Sequence, residues 1–207
     1  MKLKSFFVLA LTFCFFLPQE TQAQSEEYPV NIGVDISASA AGFALNFIGN
    51  AIETIGTGTA NISYTSTPGI QATVDYGINK WFSLGVAGYY QSFNGTIPDY
   101  NDGITTFDEA KISIQRYNVG LRPLFHYGNQ PQLDMYSGLR LGYTGWEFAS
   151  DELSEADLDA IRLSRAGFRV QLIAFGIRGY FNEWLGLGME VALGSPHYLM
   201  GGVNIRF

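Results

Sequence analysis

The sequence predicts an all-β fold: an eight-stranded antiparallel up-and-down transmembrane β-barrel with short periplasmic turns and longer extracellular loops. Three observations predict it. Eight segments alternate in hydropathy residue by residue, and the connections between them alternate in length. Phe, Tyr and Trp make up 15% of the chain alongside 24 glycines, a mixture that suits strands with aromatic belts outside and small residues inside.

Strand side chains point to opposite faces every second residue, so each segment can be split into two faces by parity. The segments lie at about 30–41, 68–78, 81–93, 112–126, 133–146, 168–181, 184–194 and 198–207. Each is close to the roughly 9 to 11 residues that a tilted strand needs to cross a bilayer. In the first, Val30, Ile32, Val34 and Ile36 oppose Gly33 and Asp35. In the second, Ile70, Val74, Tyr76 and Ile78 oppose Asp75 and Gly77, and in the third Phe82, Leu84 and Val86 oppose Gly85 and Ala87. The fourth sets Val119, Leu121 and Phe125 against Arg116, Gly120, Arg122 and His126; the fifth sets Met135, Leu139, Leu141 and Tyr143 against Asp134, Gly138, Arg140 and Gly142.

The sixth segment places Ile173, Phe175 and Ile177 opposite Gly176 and Arg178. The seventh places Leu185, Leu187, Met189, Val191 and Leu193 opposite Gly186, Gly188 and Glu190. The last alternates without a break, with Leu199, Gly201, Val203, Ile205 and Phe207 on one face and Gly202, Asn204 and Arg206 on the other. The apolar parity is expected to face lipid, because an outward arginine at the bilayer midplane costs about 2 to 4 kcal/mol.

Asn79–Lys80, Gly128–Gln132 and Asn182–Glu183 read as tight turns, while 42–67, 94–111 and 147–167 read as long loops; Ser195–His197 is the one short outer connection. Short turns on the periplasmic side and long loops outside are the habit of outer-membrane barrels. A weak repeat supports the hairpins. Residues 79–86 match residues 182–189, each opening on Asn-x-Trp, with Trp81 and Trp184 placed to sit near a membrane surface.

Residues 1–23 read as a secretory signal peptide. Lys2 and Lys4 precede an apolar run from Phe6 to Leu17, and Thr21, Gln22 and Ala23 end it. That run is far shorter than the about 20 residues of a spanning helix. Cys14, the chain's one cysteine, sits inside the run rather than after the small residues a lipoprotein signal needs. The barrel domain is then residues 24–207, held without disulfides.

Polar residues on the inward parity form a candidate lumen charge network: Asp35, Asp75, Arg116, Arg122, Asp134, Arg140, Arg178, Glu190 and Arg206. An interior of eight strands is just wide enough for side chains to fill. The network is therefore expected to be structural, a mutually satisfied ion-pair core; a conducting route is the alternative, since buried charges also mark ion paths.

A net charge of −7 argues against nucleic acid as a partner. With only two histidines, His126 and His197, no metal site and no cofactor is expected. Ser195 and His197 share a turn, but proximity alone supplies neither a general base nor its orienting group, so no enzymatic activity is expected. In the first long loop Ile48, Ile52 and Ile55 fit helical spacing. In the acidic third loop Ser154 and Asp157 resemble a capping box, with a helical turn or two reaching Leu163.

Taken together, the leader, the eight alternating segments, the Asn-x-Trp hairpins and the ending Asn204, Ile205, Arg206, Phe207 resemble small OmpA-like and OmpX-like outer-membrane β-barrel domain proteins. The resemblance spans nearly all of residues 24–207. It implies location in the outer membrane, contact with lipid and lipopolysaccharide, a monomeric state, and recognition of the terminal strand ending in Phe207 by the barrel-assembly machinery. It implies a non-enzymatic role in envelope structure or in surface interaction through the loops. OmpW-like passage or binding of a small hydrophobic solute, and lipid modification, are the alternatives.

Overall fold

The computed structural model describes residues 29–39, 63–101, 106–150 and 166–207. The leader, the helical spacing of Ile48, Ile52 and Ile55, and the Ser154 capping box lie outside the described residues. Nine strands appear in the described chain: β1 (Val30–Ala38), β2 (Ser63–Ser66), β3 (Gly69–Asn79), β4 (Phe82–Asn101), β5 (Thr106–Gln130), β6 (Leu133–Ala149), β7 (Gly167–Tyr180), β8 (Leu185–Leu193) and β9 (Leu199–Arg206).

All pairings are antiparallel, and eight of the strands close on themselves. Around the barrel the order is β1, β3, β4, β5, β6, β7, β8, β9 and back to β1. The closing seam runs from Asn31 opposite Arg206 to Ala38 opposite Leu199, and Val30 and Phe207 exchange backbone hydrogen bonds of 3.2 and 2.9 Å at its end. Closure leaves no barrel strand with an unpaired edge in the hydrocarbon, which is the condition for a sheet to span a bilayer. Among the described residues no helix is long and apolar enough to cross a membrane.

Both Asn-x-Trp corners use one hydrogen-bonding solution. The Trp81 amide donates to Asn79 Oδ1 and the Trp184 amide to Asn182 Oδ1, both at 3.0 Å. The asparagine side chain thus stands in for a backbone carbonyl two residues back, as in an Asx turn. Trp81 then stacks on Phe125 at 5.9 Å and 10°. Gly194, between β8 and β9, has φ of +111°, a conformation that admits glycine and strains other residues.

Four features depart from the sequence-based expectation. The connection at 94–111 is mostly paired strand: β4 and β5 continue in register to Asn101 opposite Thr106. From Tyr90–Tyr117, that hairpin extends about 36 Å along the strands at ~3.3 Å per residue. β6 also runs beyond its expected end, to Ala149 opposite Ser113. β2, expected as loop, adds a short ninth strand to the other side of β4, Ser63 to Ser66 opposite Thr96 to Phe93.

The fourth departure reverses a face. Ile173, expected to face lipid, is fully buried inside. The pairing of β7 with β8 skips a residue between Ile173 and Phe175, and that with β6 slips between Tyr136 and Gly138. The extra residue, Ala174, is a β-bulge. It inverts parity along β7, so Val170 and Leu172 point out before it while Phe175 and Ile177 point out after it. A bulge of this kind is invisible to simple alternation, because both halves of the segment are apolar.

A membrane band can be located from the side chains. Leu84, Val86, Val119, Leu121, Leu139, Val170, Leu187 and Val203 are exposed on the outer wall. A contiguous belt of such residues needs an apolar solvent. Trp81, Phe125, Phe181, Trp184 and Phe207 edge the belt on the turn side, and Tyr90, Tyr117 and Tyr143 edge it on the other. From Tyr117 to Phe125 a strand tilted by ~40° rises roughly 20 Å, close to the ~25 Å band of such barrels once the rings are included.

Above the tyrosines the pattern inverts. Asn94, Lys111 and Glu147 face out, while Phe93, Ile112 and Ile114 are buried on the inner side. Phe93 and Trp146 stack there at 6.1 Å. The outer face changes from apolar to polar within one or two residues of Tyr90–Tyr117, which marks the membrane surface on this side.

Candidate functional site

The inward parity of the barrel strands builds a filled lumen with three levels. Small residues make room for the long ones. A Cβ at Gly120 would lie 2.8 Å from the Cα of Gly142 on the neighbouring strand, and glycines on the same face leave space for guanidinium groups from β5, β6 and β7.

The central level gathers most of the charge. Arg122 on β5 reaches Glu190 Oε2 on β8 at 2.8 Å and Asp75 Oδ1 on β3 at 3.4 Å. Arg178 on β7 pairs with Asp75 Oδ2 and with Asp134 Oδ2 at 3.3 Å, and lies 4.4 Å over the Tyr136 ring. Glu190 also accepts from Tyr136 Oη at 3.1 Å and faces His197 Nε2 at 3.1 Å. Each carboxylate of this group is shared between strands, so the network ties opposite walls together. Pairing and hydrogen bonding of this kind offset the cost of burying charge. Arg140 donates to Gln71 Oε1 and, at 3.4 Å, to the Ala87 carbonyl. Asp35 is buried, but no ion pair joins it to this set among the described residues.

Two arginines stopper the ends instead of joining the centre. Arg116 donates to the Pro196 carbonyl and to Ser195 Oγ at 3.4 Å, and stands 5.3 Å from both the Tyr89 and Trp146 rings. At the turn side Arg206 donates to the carbonyls of Glu183 and Pro131 at 2.7 and 2.8 Å and covers the Tyr180 ring at 3.8 Å. Planar guanidinium groups suit this combination of stacking and forked donation.

Ser195 and His197 do not form the pair considered from sequence. Ser195 Oγ takes a hydrogen from Arg116, His197 Nε2 faces Glu190, and buried His197 Nδ1 has no hydrogen-bond partner among the described residues. Burial pushes the His197 imidazole below its ordinary range.

Near the turn-side mouth lies a relay that the sequence reading missed. Ser83 Oγ on β4 is 2.7 Å from His126 Nε2 on β5, and His126 Nδ1 is 2.7 Å from Asp134 Oδ1 on β6. The other oxygen of Asp134 is taken by Arg178. The three residues come from adjacent strands, and all three are nearly buried. His126 and Asp134 were already on the inward parity; Ser83 shares it but carries no charge to draw notice. Beside them is a cavity of about 30 Å³ whose lining includes Asn31, Tyr180, Arg178 and Arg206.

The sequence matches no family model, and no curated relative matches it. Solved structures with a similar fold include the outer membrane protein OprG from Pseudomonas aeruginosa, at 12% identity and a TM-score of 0.49, covering 91% of this chain and 99% of that one. The attachment invasion locus protein Ail of Yersinia pestis is another, at 14% identity and a TM-score of 0.43, covering 86% and 97%. Ail has also been solved in complex with the heparin analogue sucrose octasulfate, and that structure scores 0.40 at 13% identity. Eight-strand closure and the apolar outer belt by themselves make this chain a small outer-membrane β-barrel.

Proposed function

We propose that this protein is a side-chain-plugged outer-membrane barrel whose role is to hold a sheet above the cell surface, where an extended segment of a partner protein adds to it. One observation carries the reading. The sheet formed by β2 and the outer parts of β4, β5 and β6 continues well past the tyrosine girdle, and residues 145–149 of β6 pair with β5 on one side only, among the described residues. Unpaired strand edges are templates for strand addition. A hollow of about 290 Å³ lined by Ser113, Gln115, Trp146, Glu147, Phe148 and Ala149 adjoins that edge and offers room for partner side chains. No chemistry is required at the surface. Lipid and lipopolysaccharide surround the barrel in this reading, and the assembly machinery receives the strand ending in Phe207.

Replacing residues 145–166 by Asn-Gly removes that edge and joins the register pair Thr144 and Gly167 through a tight turn. The shortened barrel is expected to fold, to show heat-modifiable gel migration, and to lose the adhesion of expressing cells to immobilised proteins. Equal adhesion by the shortened and full-length chains would remove the reading.

A second reading has one observation of its own. A cavity of about 530 Å³ at the loop-side rim is lined both by the outer-wall residues Ile36, Met189 and Leu199 and by the inward Ser37, Gln91 and Met200. That mixture suits a small amphiphilic solute. Saturable, solute-dependent quenching of tryptophan fluorescence would favour it.

A further inference from the structure

We propose that Ser83, His126 and Asp134 form a serine esterase site at the periplasmic mouth of the barrel, acting on esters of short acyl groups. The inference is independent of the surface reading and concerns the opposite end of the molecule. Both oxygens of Asp134 are engaged, Oδ1 by His126 Nδ1 at 2.7 Å and Oδ2 by Arg178 at 3.3 Å. An ionised carboxylate can only accept, so Nδ1 carries the hydrogen. In the neutral imidazole Nε2 then has a free lone pair, and the group within its reach among the described residues is the Ser83 hydroxyl at 2.7 Å. The tautomer, the ring orientation and the direction of the serine proton are therefore all fixed by the neighbouring strands. This is the arrangement of nucleophile, general base and orienting acid that acyl transfer uses on unrelated folds.

Strand register gives the site its rigidity. Ser83 pairs with Leu124, two residues before His126 on β5, and His126 pairs with Tyr136, two residues after Asp134 on β6. Small diagonal offsets between neighbouring strands thus bring the three side chains together on a wall that cannot shift without breaking the ladder. The second histidine provides an internal contrast, because His197 has an acid but no serine.

The adjoining cavity completes the site and limits its substrate. At about 30 Å³ it holds little more than a water or two, enough for an acetyl-sized acyl group and too small for a fatty chain. The alcohol part of the ester would remain toward the periplasm. Arg178 and Arg206 line the same space beside Asp75 and Asp134, and their guanidinium groups are the donors there for a developing oxyanion.

The reaction balances without any further reagent. Ser83 Oγ bonds to the carbonyl carbon as its proton passes to His126 Nε2, and the ester C–O bond then breaks with that proton going to the departing alcohol. Water attacks the acyl-serine, gives a proton to Nε2, and releases the carboxylic acid as Ser83 recovers its hydrogen. His126 is restored and Asp134 stays ionised throughout.

The test uses the refolded full barrel in lipid vesicles with 4-nitrophenyl acetate and 4-nitrophenyl octanoate. Expected are release of nitrophenol from the acetate, an acetyl adduct on Ser83 detected by mass spectrometry of the quenched reaction, and little turnover of the octanoate. Ser83→Ala should lower the acetate rate at least about 100-fold with unchanged heat-modifiable migration, the scale of losing a positioned nucleophile and base. An acetate rate equal to that of Ser83→Ala, or adducts at other residues with none on Ser83, would overturn the proposal. The adduct position decides the matter even where the alanine variant folds poorly.

Discussion

Below the tyrosine girdle the sheet is apolar outside and charged within; above it, the same strands are polar outside and apolar within. β4, β5 and β6 cross the boundary without a break in their two-residue alternation. On β5, Val119 and Leu121 face lipid opposite Arg116 and Arg122, whereas Lys111 faces outward opposite Ile112 and Ile114. The comparison teaches that alternation specifies two faces, while the solvent on each side chooses which face is apolar. In lipid, polar side chains can be satisfied only in the lumen; in water, apolar ones are removed from the surface.

Several substitutions would break or sharpen this contrast. The largest expected effect comes from the lumen. Glu190→Gln removes the charge that faces Arg122 at 2.8 Å, leaving a buried cation short of a partner, and should cost about 3 to 5 kcal/mol in urea unfolding from lipid vesicles. A cost under about 1 kcal/mol would show that the lumen is water-filled and that its charges are screened.

Next is the outer wall. Leu121→Arg places a cation in the belt and should cost about 2 to 4 kcal/mol, while Gln115→Arg, above the girdle on the same strand and the same parity, should fall within about 0.5 kcal/mol. Equal effects at the two positions would place the membrane boundary elsewhere. Smaller again is the corner. Asn182→Ala removes the acceptor for the Trp184 and Leu185 amides, at 3.0 and 2.7 Å, and should cost about 1 kcal/mol, with Asn79→Ala similar.

The smallest effect is expected at Asp35, which no ion pair reaches among the described residues. Asp35→Asn should change stability by less than about 1 kcal/mol or raise it, because no ion pair is lost and less charge is buried. A loss as large as that for Glu190→Gln would mean that Asp35 belongs to the network.

Much of the barrel was legible because a two-residue repeat is a direct record of which face each residue occupies. The strands containing Val30, Leu84 and Leu187 follow from that repeat, as do the Asn-x-Trp corners. The 94–111 hairpin was not legible, since Gly95 and Pro98 are residues that strands disfavour while the pairing that overrides them is between strands. β2 was hidden by its four-residue length. Ile173 was misplaced by a single bulged residue. In the lumen, the inward acids and arginines could be named from parity, but their partners could not, because Arg122 and Glu190 are separated by 68 positions. The relay was missed for a related reason: Ser83 acquires meaning only beside His126.

By itself the sequence determined which side chains share a face, where tight turns fall, and that charge must lie inside an apolar wall, because covalent geometry and the cost of desolvating charge act locally on each strand. Only the tertiary structure decided which charges meet, how far the β4–β5 hairpin rises above the membrane, and that Ser83, His126 and Asp134 stand in one line. Those depend on register between strands, and register is fixed by the closure of the whole barrel.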